Sequence, residues 1–141
     1  MAASATRQRS FRLANQTLSL LDERAAEQGE SSNALAQRLL DESLRLERHP
    51  MLRFREGGSG IRRPALAGTR LDVWQVIATL RAHDGDVAST AEYFAITSTQ
   101  VRACIAYYAD FQAEIDAYAA ADLEAAERER ERWEREQRVL G

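Results

Sequence analysis

Gln8-Arg9-Ser10-Phe11-Arg12-Leu13 is the stretch on which the reading of the fold turns. Its residues alternate: Arg9, Phe11 and Leu13 fall on one face of an extended segment, and Gln8, Ser10 and Arg12 on the other. Phe11 and Leu13 are apolar, so theirs is the face to be buried. A helical pattern follows over 15–28, with Leu18, Leu21 and Ala25 at helical spacing, Asn15 placed to cap its start and Gly29 to end it. Ser31 or Ser32 can cap a second helix to about Arg48, where Leu35, Leu39 and Leu46 form an apolar stripe widened by Leu40 and Leu44. Such a unit does not stand alone. One short strand has no partner for its backbone donors and acceptors, and so short a segment buries too little apolar surface for a stable monomer. Two copies solve both problems by pairing their strands and interlocking their helices.

This order resembles the ribbon-helix-helix family of Arc-, MetJ- and CopG-like repressors. The resemblance rests on Gln8-Arg9-Ser10-Phe11-Arg12-Leu13 and on Gly29-Glu30-Ser31-Ser32-Asn33 between the helices. It implies that the paired ribbon enters the DNA major groove, which has room for two strands. Gln8, Ser10 and Arg12 would then face base edges, Gln suiting adenine and Arg suiting guanine through paired hydrogen bonds. Ser31, Ser32 and Asn33, at the start of the second helix, would hold a phosphate through free N–H groups and the helix dipole. Arg7 and Arg9 would add phosphate contacts. Arg9 departs from the family pattern, because it occupies the face where an apolar residue is usual. The plainer alternative is a ribbon that only dimerises the protein.

The charge distribution fits a local anionic partner. Residues 1–21 hold Arg7, Arg9 and Arg12 and no acid, although the chain of 141 residues has a formal charge of -3. Residues 110–141 carry five Arg and ten acids. All 19 basic residues are Arg, which with the abundant Ala reads as compositional bias before chemistry. No apolar run is long enough to span a membrane, and Met1–Ser10 has no apolar segment of the secretory type. The single Cys104 allows no internal disulfide and no metal-ligand spacing. The expectation is a cytoplasmic chain with no membrane partner.

Punctuation divides the chain into 1–48, 49–109 and 110–141, the first break falling at His49-Pro50 and a loop at Gly57-Gly58-Ser59-Gly60 opening the second part. In the second part, Arg63 to Val73 reads as two short strands around Gly68-Thr69-Arg70, with Arg70 anchoring the turn by hydrogen bonds. A helix from about Trp74 to Ala82, a turn at Asp84-Gly85-Asp86, a helix from Ala88 to Phe94 and a third capped by Thr97 or Ser98 follow. The tight Ala95-Ile96-Thr97 link makes the last two look like a helix-turn-helix. The Gly-Thr-Arg turn, the Val73-x-x-Val76-Ile77 helix and Tyr107-Tyr108 resemble a small bacterial family, domain of unknown function 433. That resemblance spans about 49–117 and implies an antitoxin whose toxin is a PIN-like ribonuclease. Thr99, Gln100 and Arg102 would point outward from the third helix, a thin basic footprint for phosphate, so protein interaction or dimerisation is the favoured role for this part.

The third part reads as one helix from about Phe111 to Arg138, laced by Glu124/Arg128, Glu131/Arg135 and Glu134/Arg138 in the favourable acid-first order. Ile115 and Tyr118 should pack back on the second part, while the seam beyond is too sparse for a coiled coil. A solvated helix is one reading. The other is a toxin-binding helix with Trp133 as apolar anchor and Arg128, Arg130, Arg132 or Arg135 inserted into the carboxylate cluster of the nuclease.

Catalysis finds no support: His49 lies beside a proline, His83 closes a helix, and neither falls in a triad or metal spacing. Asp84 and Asp86 fit turn chemistry, and Cys104 reads as a buried structural thiol. The expected fold is mainly α: a ribbon-helix-helix dimerisation domain, a helix-turn-helix-like α domain with a short β-hairpin, and a long C-terminal helix. The expected function is a non-enzymatic antitoxin without cofactor or metal. It would bind operator DNA as a homodimer through the N-terminal strand, repress its own promoter and neutralise a PIN-like nuclease. A stand-alone ribbon-helix-helix regulator with an oligomerising C-terminal region is the runner-up, and a dimer that binds no DNA the third.

Overall fold

A computed structural model describes residues 5–57 and 60–141; Gly58 and Ser59 of the expected loop lie outside the described residues. The chain forms two compact units, 1–44 and 45–141. Among the described residues it is mainly helical, with a two-stranded antiparallel hairpin and a long C-terminal helix.

In the first unit, 5–14 has no regular secondary structure. The strand expected at Gln8–Leu13 is not formed within one chain, where nothing offers it a ladder. Helix α1 spans Asn15–Gln28 and α2 spans Ser32–Arg48. Asn15 is not the cap: Ala14 holds that position and its carbonyl accepts the first helical bond from the Leu18 N–H at 3.0 Å. Gly29 ends α1 in the left-handed region, φ 67, with its N–H on the Ala26 carbonyl and the Glu30 N–H on the Ala25 carbonyl. This double closure satisfies two orphan carbonyls and needs a residue without a Cβ penalty at position 29. Ser31 caps α2 by accepting the Ala34 N–H at 3.1 Å. Arg38 ties the corner, donating to Gln28 at 2.9 Å and to Glu30 at 2.6 Å.

The second unit opens with strands β1 (Leu52–Glu56) and β2 (Arg62–Leu66), paired Leu52 to Leu66 through Glu56 to Arg62. The hairpin therefore closes between Glu56 and Arg62, and the expected strand after Gly68-Thr69-Arg70 shrinks to one bridge, Ala65 to Asp72. Thr69, not Arg70, anchors that turn: its hydroxyl donates to the Leu66 carbonyl at 2.9 Å and accepts the Leu71 N–H at 3.0 Å, while the Arg70 side chain is exposed.

Helices α3 (Val73–Ala82), α4 (Val87–Phe94), α5 (Ser98–Asp110) and α6 (Gln112–Leu140) complete the unit. Asp86 caps α4, and Thr97 caps α5 in a reciprocal box with Gln100. Leu52, Leu66, Val73, Val76, Ile77, Val101, Cys104, Tyr107 and Ile115 form the core. Ile115 is buried and Tyr118 packs against that core, so the base of α6 belongs to it.

Register places Arg55 directly opposite Arg63, a like-charge pair that costs stability. Asp72 offsets it. This buried carboxylate accepts from Arg55 at 2.7 Å, lies 3.6 Å from Arg63, takes the Trp74 indole N–H at 3.1 Å and caps α3 reciprocally with Gln75. Asp72→Ala strands two guanidinium groups and an indole donor at once. Chemical denaturation should show the unit destabilised by about 3 kcal/mol, while Asp72→Asn, which keeps an acceptor, should cost less.

Candidate functional site

Three groups of side chains stand out by exposure and chemistry. The first is the N-terminal arm with the apolar face beneath it. Arg7, Gln8, Arg9, Ser10 and Arg12 are all exposed. Phe11 and Leu13 are exposed as well, Phe11 at 64%. Both line a cleft of about 480 Å3 whose other walls are Leu20 and Leu21 of α1 and Leu35, Leu39 and Leu40 of α2. Ala25 and Leu35 are the buried apolar residues of this unit, while Leu20, Leu39, Leu40 and Leu44 face outward, Leu44 at 67%. An apolar patch of this kind marks an interaction surface.

At the start of α2, Asn33 is exposed and Ser31 is engaged as a cap. The Ser32 hydroxyl donates to the Asp22 carboxylate at 2.6 Å, so an acid stands beside the expected phosphate position.

The second group is the distal half of α6. Every residue from 120 to 141 is exposed, including Arg128, Arg130, Arg132 and Arg135, and Trp133 is 59% exposed. Of the three expected ion pairs only Glu124–Arg128 closes, at 4.0 Å; Arg132–Glu136 closes instead at 3.2 Å in the reverse order. Exposed pairs of this kind contribute little. Among the described residues no helix is long and apolar enough to cross a membrane.

The third group is polar and internal. His49 is buried, its Nε2 sits 2.8 Å from Asp110, and it stacks edge-on to Tyr107 and Phe111. Next to it Arg45 donates to the Tyr107 hydroxyl at 3.0 Å and to Glu114 at 2.5 Å. Burial lowers the Arg45 pKa, but those two bonds outweigh it and hold the guanidinium above its ordinary range. His83 closes α3, and its Nδ1 lies 2.7 Å from the Ser89 hydroxyl. These pairings span 61 and 6 residues and leave no spacing signal in the sequence. Among the described residues no three His, Cys, Asp or Glu side chains cluster as a metal site. Gln100 does not point freely outward from α5: its amide oxygen accepts the Thr97 N–H at 2.8 Å, leaving Thr99 and Arg102 exposed.

Cys104 and Tyr107 lie side by side in the core cluster. Burial pushes the Cys104 thiol from 9.0 to about 12 and the Tyr107 phenol from 10.0 to about 12, the latter despite the opposing pull of Arg45. Both protons are held more tightly in the folded unit than in the unfolded chain. Stability is therefore full below about pH 9 and falls as pH rises toward about 12, where the unfolded chain alone releases them. Urea midpoints at about pH 8 and about pH 11 should show the drop, and Cys104→Ala should flatten its lower part.

No curated protein and no solved structure matches the chain. Residues 61–108, which cover β2, α3, α4 and most of α5, match the model of a family described as protein of unknown function, DUF433.

Proposed function

We propose that the chain is the antitoxin of a type II toxin–antitoxin pair, acting as a homodimer that binds operator DNA and neutralises a PIN-like ribonuclease. The observation that carries this reading is the uncovered apolar face of the first unit, with Phe11 and Leu13 on it and arginines at the same chain end. A face so apolar needs a cover, and a second copy brings both the cover and the missing ladder for Gln8–Leu13. The paired ribbons then turn Gln8, Ser10 and Arg12 outward together, which suits a major groove. The antitoxin role is what the resemblance over 49–117 implies; the family matched at 61–108 is itself described as of unknown function. The free length of α6, with Trp133 among four exposed arginines, offers that partner an anchor and cations for clustered carboxylates.

The exposed Leu123, Val139 and Leu140 favour a second reading, a stand-alone regulator whose C-terminal helices associate with one another. Co-purification from the native operon separates the two. The antitoxin reading expects the product of an adjacent small nuclease gene in equimolar amount. The regulator reading expects this chain alone, in assemblies larger than a dimer.

A further inference from the structure

We propose that the outer face of the β1–β2 hairpin is a second nucleic-acid contact, one that holds the phosphate backbone of duplex DNA without reading its sequence. Residues 51–71 carry five Arg and one acid, in a chain whose formal charge is -3. Alternation along the strands sorts these charges. Leu52, Phe54 and Leu66 turn to the core, and on their side Glu56 stands opposite Arg62. The other side carries Arg53 and Arg55 of β1, with Arg63 directly opposite Arg55. Arg53 and Arg55 reach across the sheet to the turn that bears Arg70. Arg53 donates to the Thr69 carbonyl at 2.9 Å, and the Arg55 Nη2 lies 3.5 Å from the Arg70 carbonyl. Register and turn thus gather arginines from positions 53, 55, 63 and 70 at one face.

One carboxylate answers them. Asp72 pairs with Arg55 at 2.7 Å and with Arg63 at 3.6 Å, and its side chain is 3% exposed, so it cancels one charge and presents none to solvent. Arg53 and Arg70 are exposed and have no acid partner among the described residues. Four cations against one anion leave the face strongly positive on an acidic chain. Like charges held side by side destabilise a sheet, and a polyanion laid across them relieves the repulsion and releases its own counterions. The exposed aromatic rings among the described residues are Phe11, Tyr93 and Trp133, none of them on the hairpin, and Trp74 is half-buried with its indole on Asp72. Single strands are held by stacking on exposed rings as well as by charge, so guanidinium groups without rings suit a duplex backbone. This contact goes beyond the proposed function, which places its DNA contacts in the first unit, and rests on that reading only for the choice of DNA over RNA.

The test adds a short random-sequence DNA duplex to the isotope-labelled full chain, followed by NMR, and measures affinity by fluorescence anisotropy at several salt concentrations. The amides of Arg53, Arg55, Thr69 and Arg70 should shift saturably. Arg53→Gln combined with Arg70→Gln should weaken binding about tenfold or more near 0.1 M salt and lower the slope of log affinity against log salt by about 2. Arg70→Gln alone removes a side chain that bonds nothing in the fold; it should lower the slope by about 1, and it decides the matter if the double variant fails to fold. Arg102→Gln, at an exposed cation of α5, should change neither quantity. Hairpin amides that stay still, a slope indifferent to Arg53 and Arg70, an equal loss from Arg102→Gln, or tighter binding of duplex RNA or polyglutamate would each overturn the proposal. The amides of 8–13 report on the first unit in the same spectra, so the ribbon reading and the hairpin contact fail separately.

Discussion

Arg12→Ala is expected to lower affinity for the DNA upstream of the chain's own gene by at least about 100-fold while the dimer survives. A bidentate arginine–guanine pair is worth about 1–3 kcal/mol of discrimination, and a dimer carries the residue twice. The Arg12 side chain is exposed and makes no bond among the described residues, so removing it should leave the fold and the apolar face untouched. Arg9→Ala provides the contrast. Its expected phosphate contact carries no sequence information, so it should weaken all DNA alike and reduce the slope of log affinity against log salt by about 1 per copy. Gel shifts at two salt concentrations, with sedimentation to verify the dimer, read both effects. An unchanged affinity for Arg12→Ala in an intact dimer would sink the DNA assignment.

A chain stopped after Asp122 should lose nuclease inhibition altogether and keep operator binding. The deletion removes 123–141, whose residues are all exposed, and retains Ile115 and Tyr118, which tie the base of α6 to the core. The thermal transition of the second unit should therefore stay within a few degrees of the full chain. Trp133→Ala alone should weaken the nuclease complex by about 30-fold, the size of a buried aromatic anchor. Isothermal titration against the neighbouring gene's product measures both. A truncated chain that still silences the nuclease would move the inhibitory surface to α3, α4 or α5.

Local signals in the sequence located the helices. Gly29 and Thr97 act through bonds that reach no more than five residues along the chain, and the helix ends they set were legible from residue type and spacing, whereas Asp86, read only as a turn residue, caps α4. Asp72 was not legible either. It sits among residues that alternate like a strand, and its role needs Arg55, 17 positions earlier, folded across it. The hairpin partner of β2 was misplaced for a similar reason: a turn residue such as Thr69 can close on its own neighbours without launching a strand. His49 looked like a linker residue because Asp110 meets it only after 61 residues of chain have come round. Of the candidate surfaces, the exposed arginines and the apolar face of 11–44 were visible in advance, since they follow from charge and helical periodicity. The Asp22–Ser32 bond was not, since it depends on which helix lies beside which.

The free end of α6 also bears on how long the molecule lasts. Beyond residue 119 every residue of the helix is exposed, and helices stabilised mainly by local bonds open readily in water. Arg128, Arg130, Arg132, Arg135 and Arg138 then become successive cleavage points for any enzyme that cuts after arginine. A partner seated on Trp133 would close them. Occupancy of that helix would thus set its half-life, and the compact remainder of the chain would outlive the segment proposed to engage a partner.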